Sequence, residues 1–286
     1  MSILRARCAV VMALFVAALV GQDGKPKKPQ GKGEKAPKVQ LPGPEKDDLI
    51  TKKDKVVAAL DKFLAAHAPN SKQSTWRTQL SEPPLQTFLE THDYFWHLAT
   101  NKGELRIRLL PTAAPMHCTS AIYLSRAGFY DGLTFHRVIK GFMAQGGCPN
   151  GSGSGNAGYT MAAETSAGVK HDKAGLISTA NEDGKEKTDG SQFFLTFAAT
   201  PHLDGKHTIF GEVVAGMDVV AAIDALGGEG DVQQPSEPIT IVRAWICVQE
   251  REGEAVKDED KAAAKGDSKP TKKQGPKPLP RSDGKK

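Results

Sequence analysis

FHRVIKGFMAQGG, residues 135–147, is the stretch that decides the fold. It sets one arginine, Arg137, among apolar side chains and one amide, Gln145, on what reads as a neighbouring short strand. Two later stretches answer it: GSQFFL, residues 190–195, and LDGKH, residues 203–207. Short apolar runs bounded by glycine read as strands. Together they describe an apolar socket with a single fixed cation at its rim.

On the N-terminal side, residues 94–100 and 104–110 flank Asn-Lys-Gly and read as a hairpin. Leu105, Ile107 and Leu109 alternate with Glu104, Arg106 and Arg108, so one face is buried and the other wet. Pro115 is placed to open a helix, where its missing donor costs little, and Gly128 to close it. Further strands are expected over 133–138, 142–145, 176–181, 192–196, 208–214 and 239–248, and a second helix over 217–226 that stops at Gly227-Gly228. Eight short strands with two helices and glycine-rich turns predict a mainly β fold, a closed eight-stranded antiparallel β-barrel.

Beyond this core the composition changes. Hydrophobic residues make up 39% of the chain and aromatics 6%, less than a compact globule of this length shows, so part of the chain is expected to lie outside any core. Arg5 and Arg7 precede an apolar run over 8–20 that turns polar at Gln22. This is the layout of a signal peptide over 1–21, with cleavage after Ala18 or Gly21, and the run is too short for a spanning helix. An exported, periplasmic or extracellular protein is expected, with no stable membrane span once the signal is removed. Residues 22–46 form a Lys, Pro and Gly linker expected to be disordered, as is the charged tail over 250–286. Residues 47–92 read as a helical extension: Leu49, Val56, Val57, Leu60, Phe63 and Leu64 recur at helical spacing, and short helices are expected near 76–80 and 85–89. The extension either packs on the barrel of residues 93–249 or forms a partner-binding surface.

The net charge of +5 lies in the tails. Residues 22–46 carry seven basic against three acidic residues and residues 249–286 eleven against eight, whereas residues 47–248 carry 18 against 22. A basic face for nucleic acid is therefore not expected. At most the basic tails touch anionic surfaces weakly. The four cysteines, Cys8, Cys118, Cys148 and Cys247, show no CxxC spacing. Buried or incidental thiols, or one disulfide and a free thiol, both fit them.

The segments FHRVIKGFMAQGG, GSQFFL and LDGKH resemble the cyclophilin family of peptidyl-prolyl isomerases, with similarity over about 55% of the chain, residues 93–249. The resemblance implies the barrel architecture, capped by two helices at its open ends, no cofactor, no metal, and proline-containing polypeptides as partners of a monomer. It implies a reaction in which an X-Pro amide rotates through a barrier of about 18–20 kcal/mol. Rotation takes the nitrogen lone pair out of conjugation, and a cation that hydrogen-bonds that nitrogen binds the twisted state better than the planar one. Carried over by position, Arg137 is the catalytic residue. Phe142, Met143, Phe194 and Leu203 are the proline socket, with His207 at its rim. Gln145 and Gln192 are polar contacts, and Ala180 and Asn181 lie against the substrate backbone.

One position departs from the pattern. His202 precedes Leu203 where many family members carry tryptophan, so weaker binding of the family's cyclic-peptide inhibitor is expected. This substitution keeps open a second reading, a barrel that grips proline segments with little turnover. Residues 153–158 match GxGxxG, but no helix signal follows, so a dinucleotide site is not expected. The histidines show no metal-ligand spacing, and Glu164 and Asp204 read as surface and turn residues rather than an acid/base pair. The chain is thus expected to be a prolyl isomerase acting on exported proteins as they fold.

Overall fold

The computed structural model describes residues 49–181, 187–230 and 232–251. The signal peptide expected over 1–21, the linker over 22–46 and the tail from 252 onward lie outside the described residues. β1 (His92–Thr100) and β2 (Gly103–Leu109) form the expected hairpin, with His97 opposite Arg106. β3 (Arg137–Ile139), β4 (Met143–Gly146), β6 (Leu176–Thr179), β8 (Phe193–Thr196), β9 (Ile209–Ala215) and β10 (Ile241–Glu250) complete an eight-stranded antiparallel sheet. Its order is β10-β1-β2-β9-β6-β8-β4-β3. Two further strands, β5 (Thr160–Ala162) and β7 (Lys187–Asp189), form a separate two-stranded sheet that the sequence did not announce. At three residues each they are too short for alternation to register.

The strand order runs from β10 at one end to β3 at the other. These two ends are linked just before the strands begin. Gly132 N donates to Ile241 O (2.7 Å), Ile241 N to Leu133 O (2.8 Å) and Phe135 N to Ile239 O (2.9 Å), around an isolated Thr134–Thr240 bridge. Along β3 the outer edge is taken by Gly228 and Gln233. Gly228 N donates to Val138 O (3.0 Å) and Val138 N to Gln233 O (2.8 Å).

Inward residues of the strands build one core around Trp96, which meets Tyr130 and Phe193 at ring distances of 5.0 Å. α3 (Pro115–Arg126) packs on β9 and β10, and α4 (Met217–Asp224) on β2, β3 and β4. Every residue from His117 to Ser125 is buried. A helix on the surface of a sheet normally keeps one face wet, so something must cover the outer face of α3.

The extension does so. α1 (Leu49–Lys53) packs on β10 and α2 (Lys55–Ala66) on α3, with Val56, Val57 and Leu60 entering the main core. Asp54 caps α2, its Oδ1 accepting from Val56 N (2.9 Å) and Val57 N (3.0 Å), and its Oδ2 accepting from Tyr94 Oη (2.9 Å). Arg126 donates both Nε and Nη2 to Asp61 (2.7 and 2.8 Å), and Arg77 donates to Phe129 O and Asp131 O (2.8 and 2.7 Å). Residues 76–78 make a 3₁₀ turn, whereas the helix expected over 85–89 is absent. After Pro83 and Pro84 that stretch finds partners on the domain instead: Gln86 N donates to Thr119 Oγ1 (3.3 Å) and Phe88 meets Tyr94 edge-on at 4.9 Å.

Candidate functional site

Register brings the site together. Arg137 on β3 stands opposite Gln145 on β4, Gln145 opposite Phe194 on β8, and Phe194 opposite Ser178 on β6. Paired residues share a face of a sheet, so arginine, amide and phenyl ring lie in one row. Met143, two residues before Gln145, joins the same face. The row opens into a cleft of about 390 Å³ lined by Arg137, Phe142, Met143, Gln145, Phe194 and Leu203. Ala180, Asn181, His202 and His207 line it as well.

The close approach of the end of β4 to the start of β8 fixes this geometry. Gly147 has φ +81° and a Cβ there would lie 2.3 Å from Ser191 O, so only glycine lets the end of β4 pass this close to the start of β8. Beyond it, a 3₁₀ turn (Pro201–Leu203) carries His202 and Leu203 to the opposite wall. Asp204 anchors that turn, accepting from His171 N (2.7 Å) and meeting His171 Nδ1 at 3.0 Å. His171 Nε2 reaches Ser178 Oγ (3.0 Å) and its ring lies parallel behind Phe194 at 6.1 Å. His207 sets its ring edge-on to Phe194 at 5.3 Å, with Nδ1 3.0 Å from Thr179 O. The socket floor is thus a phenyl ring held between two imidazoles.

Arg137 donates Nε–H to Gln233 Oε1 (2.7 Å) and Nη1–H more distantly to Gln145 Oε1 (3.4 Å). Among the described residues no carboxylate pairs with it, and no acidic side chain lines the cleft. Gln192 is the one expected contact that stands behind the wall rather than in it. It accepts from Gln145 Nε2 (3.0 Å) and donates to Gly153 O and Gly155 O (2.9 and 2.8 Å). Lys206 lines the cleft and was missed, although LDGKH contains it. Asn181 donates to Lys206 O (2.8 Å) and leaves its own Oδ1 buried without a partner. A buried, unpaired acceptor beside a cleft suits a backbone N–H of an extended peptide. His202 stacks on Phe142 at 5.7 Å and 27°, extending the apolar wall outward.

Burial pushes the pKa values of His97, His136 and His171 down; Glu104 opposes this at His97, Asp204 opposes it at His171, and the Arg137 charge adds to it at His136. A histidine held neutral in the fold binds fewer protons than in the unfolded chain, so its contribution is whole above an ordinary pKa of about 6.5 and is lost as pH falls through the folded values. Urea midpoints are therefore expected to drop between pH 7.5 and 5.5, and His171→Gln is expected to flatten that slope. A midpoint independent of pH across this range would contradict the assignment. Cys118 and Cys148 are buried thiols that form no disulfide among the described residues, and Cys247 is partly buried.

Comparison with known proteins follows the same outline. The family model described as cyclophilin type peptidyl-prolyl cis-trans isomerase/CLD matches residues 95–246. A peptidyl-prolyl cis-trans isomerase-like 1 of Gibberella zeae is 42% identical over 158 residues, covering 54% of this chain and 96% of the relative. Peptidyl-prolyl cis-trans isomerase B of Bacillus subtilis is 46% identical over 123 residues, covering 43% of this chain and 85% of the relative. Among solved structures, a Cryptosporidium parvum cyclophilin type peptidyl-prolyl cis-trans isomerase superposes with TM-score 0.52 at 31% identity, over 54% of this chain and 98% of that one. A second structure of that protein, in the presence of the dipeptide Ala-Pro, gives 0.51 at 32% over the same shares. A family match over more than half the chain, a relative spanned almost end to end and a shared fold lead to one conclusion: the chain belongs to the cyclophilin family and is a peptidyl-prolyl cis-trans isomerase.

Proposed function

We propose that Arg137 accelerates rotation of a prolyl amide bound in the cleft, and that the substrates are exported polypeptides folding after translocation. The observation that carries this reading is a guanidinium held at the rim of a phenyl-floored socket by two amide oxygens and, among the described residues, no carboxylate. The proline ring packs on Phe194, Met143 and Leu203, and the backbone lies along Ala180 and Asn181. As the amide twists, its nitrogen becomes an acceptor, and an Arg137 N–H donates to it. A charge-assisted bond of this kind is worth about 1.5–3 kcal/mol. It acts on the rate because the planar ground state offers no such acceptor. A guanidinium fixed before the substrate arrives needs no reorganisation as charge localises. His207 closes the rim, and Gln192 acts through Gln145 rather than on the substrate.

The family resemblance, the leader expected over residues 1–21 and the two basic tails support an exported monomer whose tails touch anionic surfaces at most weakly. Two measurements test the setting. The mature protein should begin at Leu19 or Gln22, and catalytic amounts of it should speed the proline-limited phase of a refolding secreted protein. An unprocessed N-terminus, or a slow phase left at its uncatalysed rate, would overturn the proposed role.

His202 sets a further expectation. Its ring offers less apolar area than an indole, so His202→Trp should tighten binding of the cyclic-peptide inhibitor by about tenfold, corresponding to roughly 1–2 kcal/mol of added burial. Turnover of a short Ala-Pro peptide should change less than threefold, roughly 0.6 kcal/mol. Equal inhibitor affinity in the two proteins by calorimetry would contradict the place given to this residue.

A further inference from the structure

The geometry points to Gln233 as a positioning residue for Arg137, supplied by a segment that the motif-bearing stretches do not include. This inference rests on the role proposed above for the arginine. After α4 the chain runs along the free edge of β3, where Lys140 N donates to Gly228 O (3.1 Å) and Gly228 N to Val138 O (3.0 Å). It meets the same strand again at Gln233, whose carbonyl accepts from Val138 N (2.8 Å). Val138 is thus gripped through both of its backbone groups by one short loop. That grip sets Gln233 beside the residue next to Arg137, so its amide needs to order only its own side chain to reach the guanidinium.

Where the amide binds matters more than that it binds. A guanidinium has five N–H donors in a rigid plane. Gln233 Oε1 takes the Nε–H at 2.7 Å, the one donor nearest the aliphatic stem, and so restricts rotation of the plane about the last side-chain bonds. The terminal nitrogens stay available for a substrate, with Gln145 at a looser 3.4 Å. The holder is a neutral amide. A carboxylate in its place would hold the group equally well and cancel the charge the reaction needs.

The loop is built for this approach. A Cβ on Gly228 would lie 2.2 Å from Val232 O, so the return of the chain requires glycine there. Lys140 pairs with Glu229 (2.7 Å) and Asp224 Oδ1 accepts from Gly141 N (2.6 Å), tying the end of α4 and the start of the segment to the β3–β4 turn. Gln233 itself is exposed, and a core-packing role is therefore not what holds it in place.

The test is kinetic and spectroscopic on the full chain. Gln233→Ala should lower kcat for an Ala-Pro peptide by about tenfold with KM within about twofold, since a displaced catalytic group costs rate rather than affinity. In the same variant the Arg137 Nε–H resonance should exchange faster with water and move towards the position of a free guanidinium. Gln233→Glu should keep that resonance protected and still lose rate, because order is preserved while charge is cancelled. Gly228→Ala, which opens the loop, should reproduce the Gln233→Ala spectrum. In the double variant with Arg137→Ala the Gln233 effect should vanish. The inference is overturned if Gln233→Ala keeps full kcat while Arg137→Ala loses it, or if the two losses multiply in the double variant. Full activity in Arg137→Ala would instead remove the reading on which this one stands, and this one with it.

Discussion

Arg137→Ala lowers kcat/KM for an Ala-Pro peptide by about 10²–10³-fold, the loss seen when one preorganised donor is removed from a transition-state site. The reasoning follows from the geometry of the cleft. Phe142, Met143, Phe194 and Leu203 supply apolar contact that planar and twisted prolines share, and uniform contact of that kind lowers KM without raising kcat. Among the residues lining the cleft, Arg137 is the cation fixed from two sides by amide oxygens. Removing it should therefore leave peptide binding within a few-fold and remove most of the rate. Arg137→Lys separates charge from shape: an ammonium keeps the charge but lacks the planar fork that Gln233 and Gln145 hold, so it should recover about tenfold at most. The protein should stay folded in both variants, since Arg137 is partly exposed and makes no ion pair among the described residues.

Asp54→Ala lowers the unfolding free energy by about 3 kcal/mol, a large part of the roughly 5–15 kcal/mol that holds a domain together. Loss of a helix cap costs about 0.5–2 kcal/mol, and α2 loses its cap on two backbone donors. The Tyr94 hydroxyl, buried beneath the extension, then lacks its acceptor, which costs about 1–3 kcal/mol more. The urea midpoint should fall by about 1 M, with isomerase activity per folded molecule unchanged because Asp54 touches no residue of the cleft. A midpoint equal to that of the unsubstituted protein would mean that residues 49–92 lie on the domain without supporting it. The matched family region begins at residue 95. The covered outer face of α3 is thus a feature of this chain's own N-terminal segment.

How much of this was legible in the sequence depends on the range of the interactions. The hairpin of β1 and β2, the Pro115 start of α3 and the eight main strands follow from alternation, proline and glycine, which act within a few residues. Most residues of the cleft were legible because three short stretches carry them in a fixed order. What escaped detection depends on contacts between distant segments. Gln233 reaches Arg137 across 96 positions, and nothing in Val-Gln-Gln-Pro distinguishes it from an ordinary loop. The choice between a packed and a free extension turned on Asp54, whose partner Tyr94 lies 40 residues away. Residues 85–89 look helical by spacing, yet two prolines and partners on α3 and β1 draw them into an extended course. Gly228 and Gln233 occupy the outer edge of β3, a pairing invisible to strand periodicity. Gln192 reads as a site residue from its place in GSQFFL, although its amide faces Gly153 and Gly155 behind the wall.

The central claim is that a fixed guanidinium acts on the twisted amide rather than on binding. Exchange spectroscopy on an Ala-Pro peptide with a small fraction of protein tests it most directly, because the same spectra report binding through shifts and isomerisation through cis–trans cross-peaks. The unsubstituted protein should give strong cross-peaks, and Arg137→Ala should shift the peptide signals to a similar extent while its cross-peaks fall to the uncatalysed level. Cross-peaks that build up equally fast with both proteins would contradict the account.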